Sequence, residues 1–249
     1  GFVLYFLSKK AEYKVRLLYK EEIRTCGKDA KNIVSLGTAG FVMQLTNSLV
    51  SICCNNVLSA TGGDVYVSVM TIISSVRQMI ETPIWSISEG SSPVISYNYG
   101  AKRPKKVIEA WITMSVLALI YSLIAWSVIL FAPKFLIGIF SSDKSLMIDT
   151  VPAMKLYFSA FIFMLFQYTG QTMFKSLNKK KQAIFFSILR KVIIVVPMTY
   201  MFPYVFHMGS NGVFMAEPVS NVIGGSLCFI VMLLTVLPEL KQMNSDLSS

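Results

Sequence analysis

Six long apolar runs constrain the fold of this chain more than any other feature of its sequence. They cover residues 34–58, 65–97, 107–132, 151–174, 183–206 and 212–237. A helix needs about 20 mostly apolar residues to cross the ~30 Å hydrocarbon core of a bilayer, and every run is that long. The runs therefore predict an all-α membrane protein, with a six-transmembrane-helix bundle over residues 33–240.

The composition supports a membrane protein and argues against several other classes. Only 14% of the 249 residues are charged and the mean hydropathy is +0.59, whereas a soluble domain has roughly a quarter of its residues charged. The net charge of +10 arises from bases bunched between the apolar runs, which does not indicate a nucleic-acid partner. The single histidine and four cysteines have no ligand spacing, so we expect no metal site and no cofactor. A phosphate-binding loop and a catalytic triad are also missing from the sequence, and we do not expect an enzyme.

The distribution of the bases predicts the orientation. The segments before the first run, between the second and third, between the fourth and fifth, and after the last contain 17 of the 23 Lys and Arg residues, and the other loops contain two. Basic loops stay on the cytoplasmic side. We therefore expect a multi-pass protein of the plasma membrane with both ends cytoplasmic.

The two ends of the chain lie outside the bundle. Residues 1–7 are apolar but too short to span, and they begin without a methionine, so we interpret them as the tail of a truncated transmembrane helix. Residues 8–32 contain eight bases and predict a basic cytoplasmic connector beside anionic lipid headgroups. Residues 241–249 predict a cytoplasmic tail.

A motif at the end of the second run resembles a known family. Its residues are Gly90, Pro93, Tyr97, Asn98, Gly100 and Ala101. The pattern resembles the Gly-x-x-Pro…Tyr-Asn-x-Gly-Ala signature in the second half of the multidrug and toxic compound extrusion (MATE) transporters. Stretches at residues 187–203 and 212–220 are also similar to that family.

The resemblance implies the C-terminal lobe of a twelve-helix transporter, whose partner would be an N-terminal six-helix lobe. The implied activity is secondary antiport, which exports cationic or amphipathic organic compounds in exchange for Na⁺ or H⁺. Where one branch of the family has a carboxylate in the first helix of this lobe, this sequence has Asn47.

Two alternatives remain open. One is a lipid-linked saccharide flippase of the same superfamily, and the other is a non-transporting half-length membrane subunit. Such flippases line their cavity with several basic residues. Since the sequence places only Arg77 near the midplane, facing Glu81, it favours the antiporter.

Charged residues inside the runs are candidates for function because they are costly in lipid. Arg77 and Glu81 lie one helical turn apart near the midplane. They predict either a coupling carboxylate with its partner or an internally neutralised pair beside Pro83. Equal depth further predicts two structural ion pairs between helices, one joining Glu89 to Arg190 and one joining Lys155 to Glu217.

Uncharged polar residues form stripes at helical spacing. The first run contains Gln44, Asn47, Ser51 and Asn55, and the fourth contains Gln167 and Gln171. In lipid such residues must face protein or water. The stripes predict either the wall of a substrate cavity or hydrogen bonds between helices.

Overall fold

The computed structural model describes residues 27–141 and 143–246, with side chains at Val34, Phe41 and the residues of those ranges from Gln44 on. The predicted helix tail at residues 1–7 and most of the predicted connector lie outside the described residues. The chain divides into two compact units, Gly1–Val42 and Met43–Ser249. Residues 27–42 of the first unit are helical.

The described ranges are mainly helical, with short turns between the helices, and contain no strand. The helices are α1 (Gly27–Gly100), α2 (Pro104–Phe131), α3 (Pro133–Phe140), α4 (Lys144–Tyr157), α5 (Met164–Ser176), α6 (Lys180–Val205) and α7 (Ser210–Asp246). A 3₁₀ turn at Phe161–Phe163 precedes α5. Three π-helical segments interrupt α6 and α7, at Leu189–Val195, Met201–Val205 and Asn221–Gly225.

The number of membrane spans depends on how the longest helix is divided. By length and composition, four helices in the described ranges are able to cross a membrane, or five if α4 and α5 form one bent span. The apolar part of α1, Gln44–Gly100, has 57 residues, which at 1.5 Å per residue is about 85 Å and far longer than a bilayer core. Division of α1 at its internal break gives the six spans that the sequence predicts.

The break in α1 lies at Gly63, where φ is 69° and ψ is −169°. This backbone conformation is open to glycine and strained for residues with a side chain. It separates a first arm that ends at Gly62 from a second arm that ends at Gly100. Proline removes one backbone hydrogen bond from a helix, yet the second arm continues through Pro83 and Pro93.

The fourth predicted span is bent by 47° between α4 and α5. The Trp126 indole on α2 donates a hydrogen bond of 3.0 Å to the Phe158 carbonyl in the bend. The same carbonyl also accepts a 3.1 Å bond from the Phe161 backbone N–H, so the polar groups at the bend are hydrogen-bonded within the protein, as the bilayer interior requires. The bend places Tyr157 at the end of α4, where its side chain is buried.

Two predicted segments are more helical than the sequence suggested. Most of the expected loop at residues 133–150 is occupied by α3 and the first turns of α4. The Asp143 carboxylate caps α4 by accepting a 2.8 Å bond from the Ser145 backbone N–H, and this bond together with the Ser145 hydroxyl lowers the pKa of Asp143. The expected tail at residues 241–249 continues α7 as far as Asp246.

Buried apolar side chains form two clusters at different heights along the second arm of α1. One includes Ile73, Met154 and Phe214, and the other includes Ile95, Phe174 and Met232. Both clusters join helices that are far apart in sequence. They hold the bundle together and leave polar groups to line the space described next.

Candidate functional site

A cavity of about 520 Å³ opens among the helices of the second unit. Both arms of α1 line it, together with the end of α4, and with α5, α6 and α7. Seven residues singled out in the sequence lie around it: Gln44, Asn47, Ser51, Arg77, Glu81, Gln167 and Gln171. The eighth, Asn55, is exposed and does not line the cavity. Whether these residues bind substrate stays a prediction.

Five charged residues, here called the cavity cluster, line this space: Arg77, Glu81, Arg190, Lys191 and Glu217. Glu217 lies at the centre of the cluster. Its Oε1 is 3.2 Å from Arg77 Nη2, 3.4 Å from Arg190 Nη1 and 3.0 Å from Lys191 Nζ. Lys191 Nζ also reaches Glu217 Oε2 at 3.3 Å. One buried carboxylate therefore forms ion pairs with three cations.

Glu81 forms the second acidic centre of the cluster. Arg77 Nε donates a hydrogen bond to Glu81 Oε1, as the four-residue spacing predicted. The Tyr168 hydroxyl donates a 3.2 Å bond to Glu81 Oε2, and Arg77 Nη1 donates a 2.7 Å bond to the Tyr157 hydroxyl. Arg77 thus connects Glu81, Glu217 and the bend after α4.

The π-helical segments position the cluster. Leu189–Val195 contains Arg190 and Lys191, and Asn221–Gly225 begins with Asn221, which accepts a hydrogen bond from Arg190 Nη1. A Cβ added at Gly224 would lie 2.9 Å from Arg190 Cγ, so only glycine allows α7 this close to α6. π turns of this kind occur frequently at functional sites.

The two ion pairs predicted from equal depth are wrong. Glu89 pairs with Lys175, with 2.6 Å between Oε1 and Nζ, while Arg190 pairs with Glu217. Lys155 is exposed, whereas Glu217 is buried in the cavity cluster. Depth along a helix gives the height of a side chain, but the neighbouring helix and the direction it faces decide the partner.

The sequence argument also missed part of the cavity lining. Ser74, Gln78 and Thr82 line the cavity from the exposed face of the second arm of α1. Their four-residue spacing is the same signal that identified the stripe on the first arm. Tyr157 and Tyr168 gave no comparable signal, because an isolated tyrosine in an apolar run is typical of packing.

The two buried glutamines on α5 line the cavity and differ in their hydrogen bonds. Gln171 Nε2 donates a 3.0 Å bond to the Ser187 hydroxyl on α6, which is the helix–helix hydrogen bond that the sequence left open. Gln167 Nε2 lies 3.5 Å from the Phe186 carbonyl, while its buried Oε1 has no hydrogen-bond partner among the described residues. Gln167 therefore keeps a buried acceptor with no partner among the described residues, and Gln171 stabilises the helix pair.

The sequence family described as MatE matches residues 40–201, which is more than half of the chain. The chain belongs to the MATE family. No curated protein sequence matches the chain. The family resemblance inferred from the motif at residues 90–101 is confirmed, and so is the all-helical membrane fold. MATE proteins are transporters, which agrees with the expectation that this chain is not an enzyme.

Solved MATE structures have the same fold as this lobe. A MATE transporter in complex with MaL6 has a TM-score of 0.82 at 19% identity, covering 98% of this chain and 54% of the other. A MATE family multidrug resistance transporter in an outward-facing conformation has a TM-score of 0.82 at 18% identity, covering 98% and 53%.

A MOP superfamily transporter from Pyrococcus furiosus, described as having a binding pocket of reverse polarity, has a TM-score of 0.84 at 19% identity, covering 98% and 53%. This chain therefore spans about half the length of the structures it matches.

Proposed function

We propose that this chain forms one lobe of a secondary active transporter that exports amphipathic organic compounds in exchange for Na⁺ or H⁺. The observation that supports this proposal most is the cavity, whose exposed side is lined by polar side chains from both arms of α1. Gln44, Asn47 and Ser51 belong to one arm, and Ser74, Gln78 and Thr82 to the other. A second, N-terminal six-helix lobe would close the cavity on this side.

The cost of polar groups in lipid supports this partner. Exposed polar side chains at membrane depth are stable only against water or protein. The faces of α2 are different, because its exposed side chains include Ile112, Ile120 and Ile124, which suit contact with acyl chains. The polar faces of α1 therefore indicate the translocation path, and the apolar faces indicate the lipid boundary. The base-rich loops support a plasma-membrane protein with cytoplasmic ends.

Glu81 is the candidate coupling residue. Its carboxylate lines the cavity and is partly exposed, with 15% of its side chain accessible, and its position in the second apolar run predicts a depth near the midplane. Secondary transporters bind substrate and coupling ion near the midplane. Glu217 is less suited to this role because three cations already contact its carboxylate.

A matched pair of substitutions tests the transport path. The protein of natural length would be reconstituted into liposomes, and efflux of ethidium and anilinonaphthalenesulfonate followed after a Na⁺ or a pH gradient is imposed. Gln78→Trp fills the cavity and should abolish gradient-driven movement, whereas Ile124→Trp on the lipid face should not. Equal efflux from both variants, or no gradient-driven movement of either probe, would contradict the proposal.

A lipid-linked saccharide flippase is the second candidate, and one observation favours it. The cavity is lined by Arg190 and Lys191 in addition to Arg77, so Arg77 is not the only base there as the sequence suggested. In the same liposomes, a fluorescent lipid-linked saccharide would become accessible to an external quencher more quickly if this candidate is correct. Efflux of the small probes without movement of the lipid would exclude it.

A further inference from the structure

We infer that the cavity binds the anionic group of its amphipathic substrate, at Lys191 and Arg190. This inference rests on the proposed transport function and concerns the class of substrate. It differs from the organic cation that the family resemblance implied. The substrate would combine a carboxylate, sulfonate or phosphate with an apolar body.

The balance of charge in the cavity carries the inference. Among the described residues that line it, three are basic and two are acidic. Both carboxylates are already used, since Glu217 contacts three cations and Glu81 accepts bonds from Arg77 and Tyr168. One positive charge is left without a matching carboxylate. An unmatched charge is costly where the dielectric constant is low, so a ligand anion would stabilise the cluster.

Unused donors identify where the anion would bind. Arg77 uses all three of its nitrogens, on Glu81, Tyr157 and Glu217. Arg190 directs only Nη1 to its described partners, Glu217 and Asn221. A guanidinium has five N–H groups and an ammonium has three. Arg190 therefore keeps two nitrogens, Nε and Nη2, and Lys191 keeps one N–H group for a further acceptor, whereas every nitrogen of Arg77 already has a partner.

The rest of the lining fits an apolar body. Met70, Trp85, Val195 and Val213 line the same cavity, and apolar and aromatic walls with a few converging polar groups are typical of small-molecule sites. Small inorganic anions would leave these walls unused.

Lys191 offers the sharpest test because its removal balances the cluster at two bases and two acids. Naphthalenesulfonate and naphthyltrimethylammonium share one apolar body and have opposite charges. Their binding to the natural-length protein in nanodiscs would be measured by calorimetry, with empty nanodiscs subtracted. We expect the sulfonate to bind roughly tenfold more tightly, and Lys191→Met to remove roughly that advantage without weakening the ammonium.

Exposed Lys155 provides the matched control, and Lys155→Met should leave both affinities unchanged. Lys191→Arg keeps the charge and should keep the sulfonate preference, so this variant decides the matter if Lys191→Met does not fold. Equal binding of the two probes, tighter binding of the ammonium, no binding of either, or an unchanged sulfonate affinity in Lys191→Met would overturn the inference. Loss of the sulfonate preference in Lys191→Arg would also overturn it.

Two further measurements separate this inference from the proposals on which it rests. Sulfonate binding without gradient-driven transport would contradict the transport function and leave the anion site standing. Gradient-driven export of the ammonium alone would contradict the anion site and leave the transport function standing. Geranyl pyrophosphate, which joins an anionic group to an apolar body, should displace the sulfonate when it is added as a competitor, and failure to displace it would exclude phosphates from the substrate class.

Discussion

Two groups of charged residues in this lobe differ in burial and in the balance between positive and negative charge. The cavity cluster is buried and unequal, with three bases sharing two carboxylates. The helix-end pairs, Lys175–Glu89 and Lys179–Glu239, are matched one to one, at 2.6 Å and 2.5 Å between their charged atoms. About a third of each Lys175 and Glu89 side chain is exposed. Solvent-screened pairs of this kind contribute little stability. A buried cluster with more cations than carboxylates is costly unless a ligand supplies the missing negative charge. The exposed, balanced pairs therefore attach one helix to another, and the buried, unbalanced cluster is the candidate for binding.

The largest effect should follow loss of the central carboxylate. Glu217→Gln leaves three cations with only Glu81 as a counterion, and removal of one partner from a buried ion pair costs about 3–5 kcal/mol. We expect the free energy of unfolding to fall by that amount, measured by denaturant titration in micelles with circular dichroism. A loss similar to that of a helix-end pair would remove the distinction between the two groups.

A glycine next to the cavity cluster should give the next largest effect. A Cβ at Gly225 would lie 2.6 Å from the Phe163 backbone carbonyl oxygen, so Gly225→Ala forces α7 away and should cost about 3 kcal/mol. Gly90, beside Glu89 of the helix-end pairs, has open space around the same position. Gly90→Ala is therefore the control, and we expect it to be neutral or stabilising by up to about 1 kcal/mol. Thermal unfolding of both variants would check this contrast.

Glu81 separates coupling from structure within the cavity cluster. Glu81→Gln weakens the contacts with Arg77 and Tyr168 and should cost about 2 kcal/mol, as expected for hydrogen bonds to a charged group. If Glu81 couples transport, ion-driven efflux should also stop while substrate binding remains. The double variant Arg77→Met/Glu81→Gln keeps the excess of one positive charge. Recovery of normal efflux in that double variant would show that Glu81 has no coupling role.

The smallest effect belongs to the helix-end pairs. Glu89→Gln should lower the free energy of unfolding by no more than about 1 kcal/mol, and less at high salt, because both partners are partly exposed. A double-mutant cycle with Lys175→Met would measure the coupling energy. A coupling of several kcal/mol would place this pair with the buried cluster.

The sequence predicted the positions of the helices better than it predicted which helices pack against each other. The six apolar runs and the pairing of Arg77 with Glu81 depend on local spacing, and the structure has helices over the runs and a bond between these two side chains. The partners of Arg190 and Glu89 depend on which helices are adjacent, and hydropathy does not report adjacency. The π turns add a second difficulty. They change the direction in which the side chains of Arg190 and Lys191 leave α6, and nothing in the local composition predicts them.

Gly63 has a mechanical consequence for the cavity. A single residue with no intervening loop joins the two arms of α1, and each arm provides one polar side of the opening. Because no flexible loop separates the two arms, their ends at Gly63 stay together when either arm tilts. The angle between the two polar sides of the opening is therefore fixed at one residue, Gly63, where two spans joined by a loop would leave it to many residues.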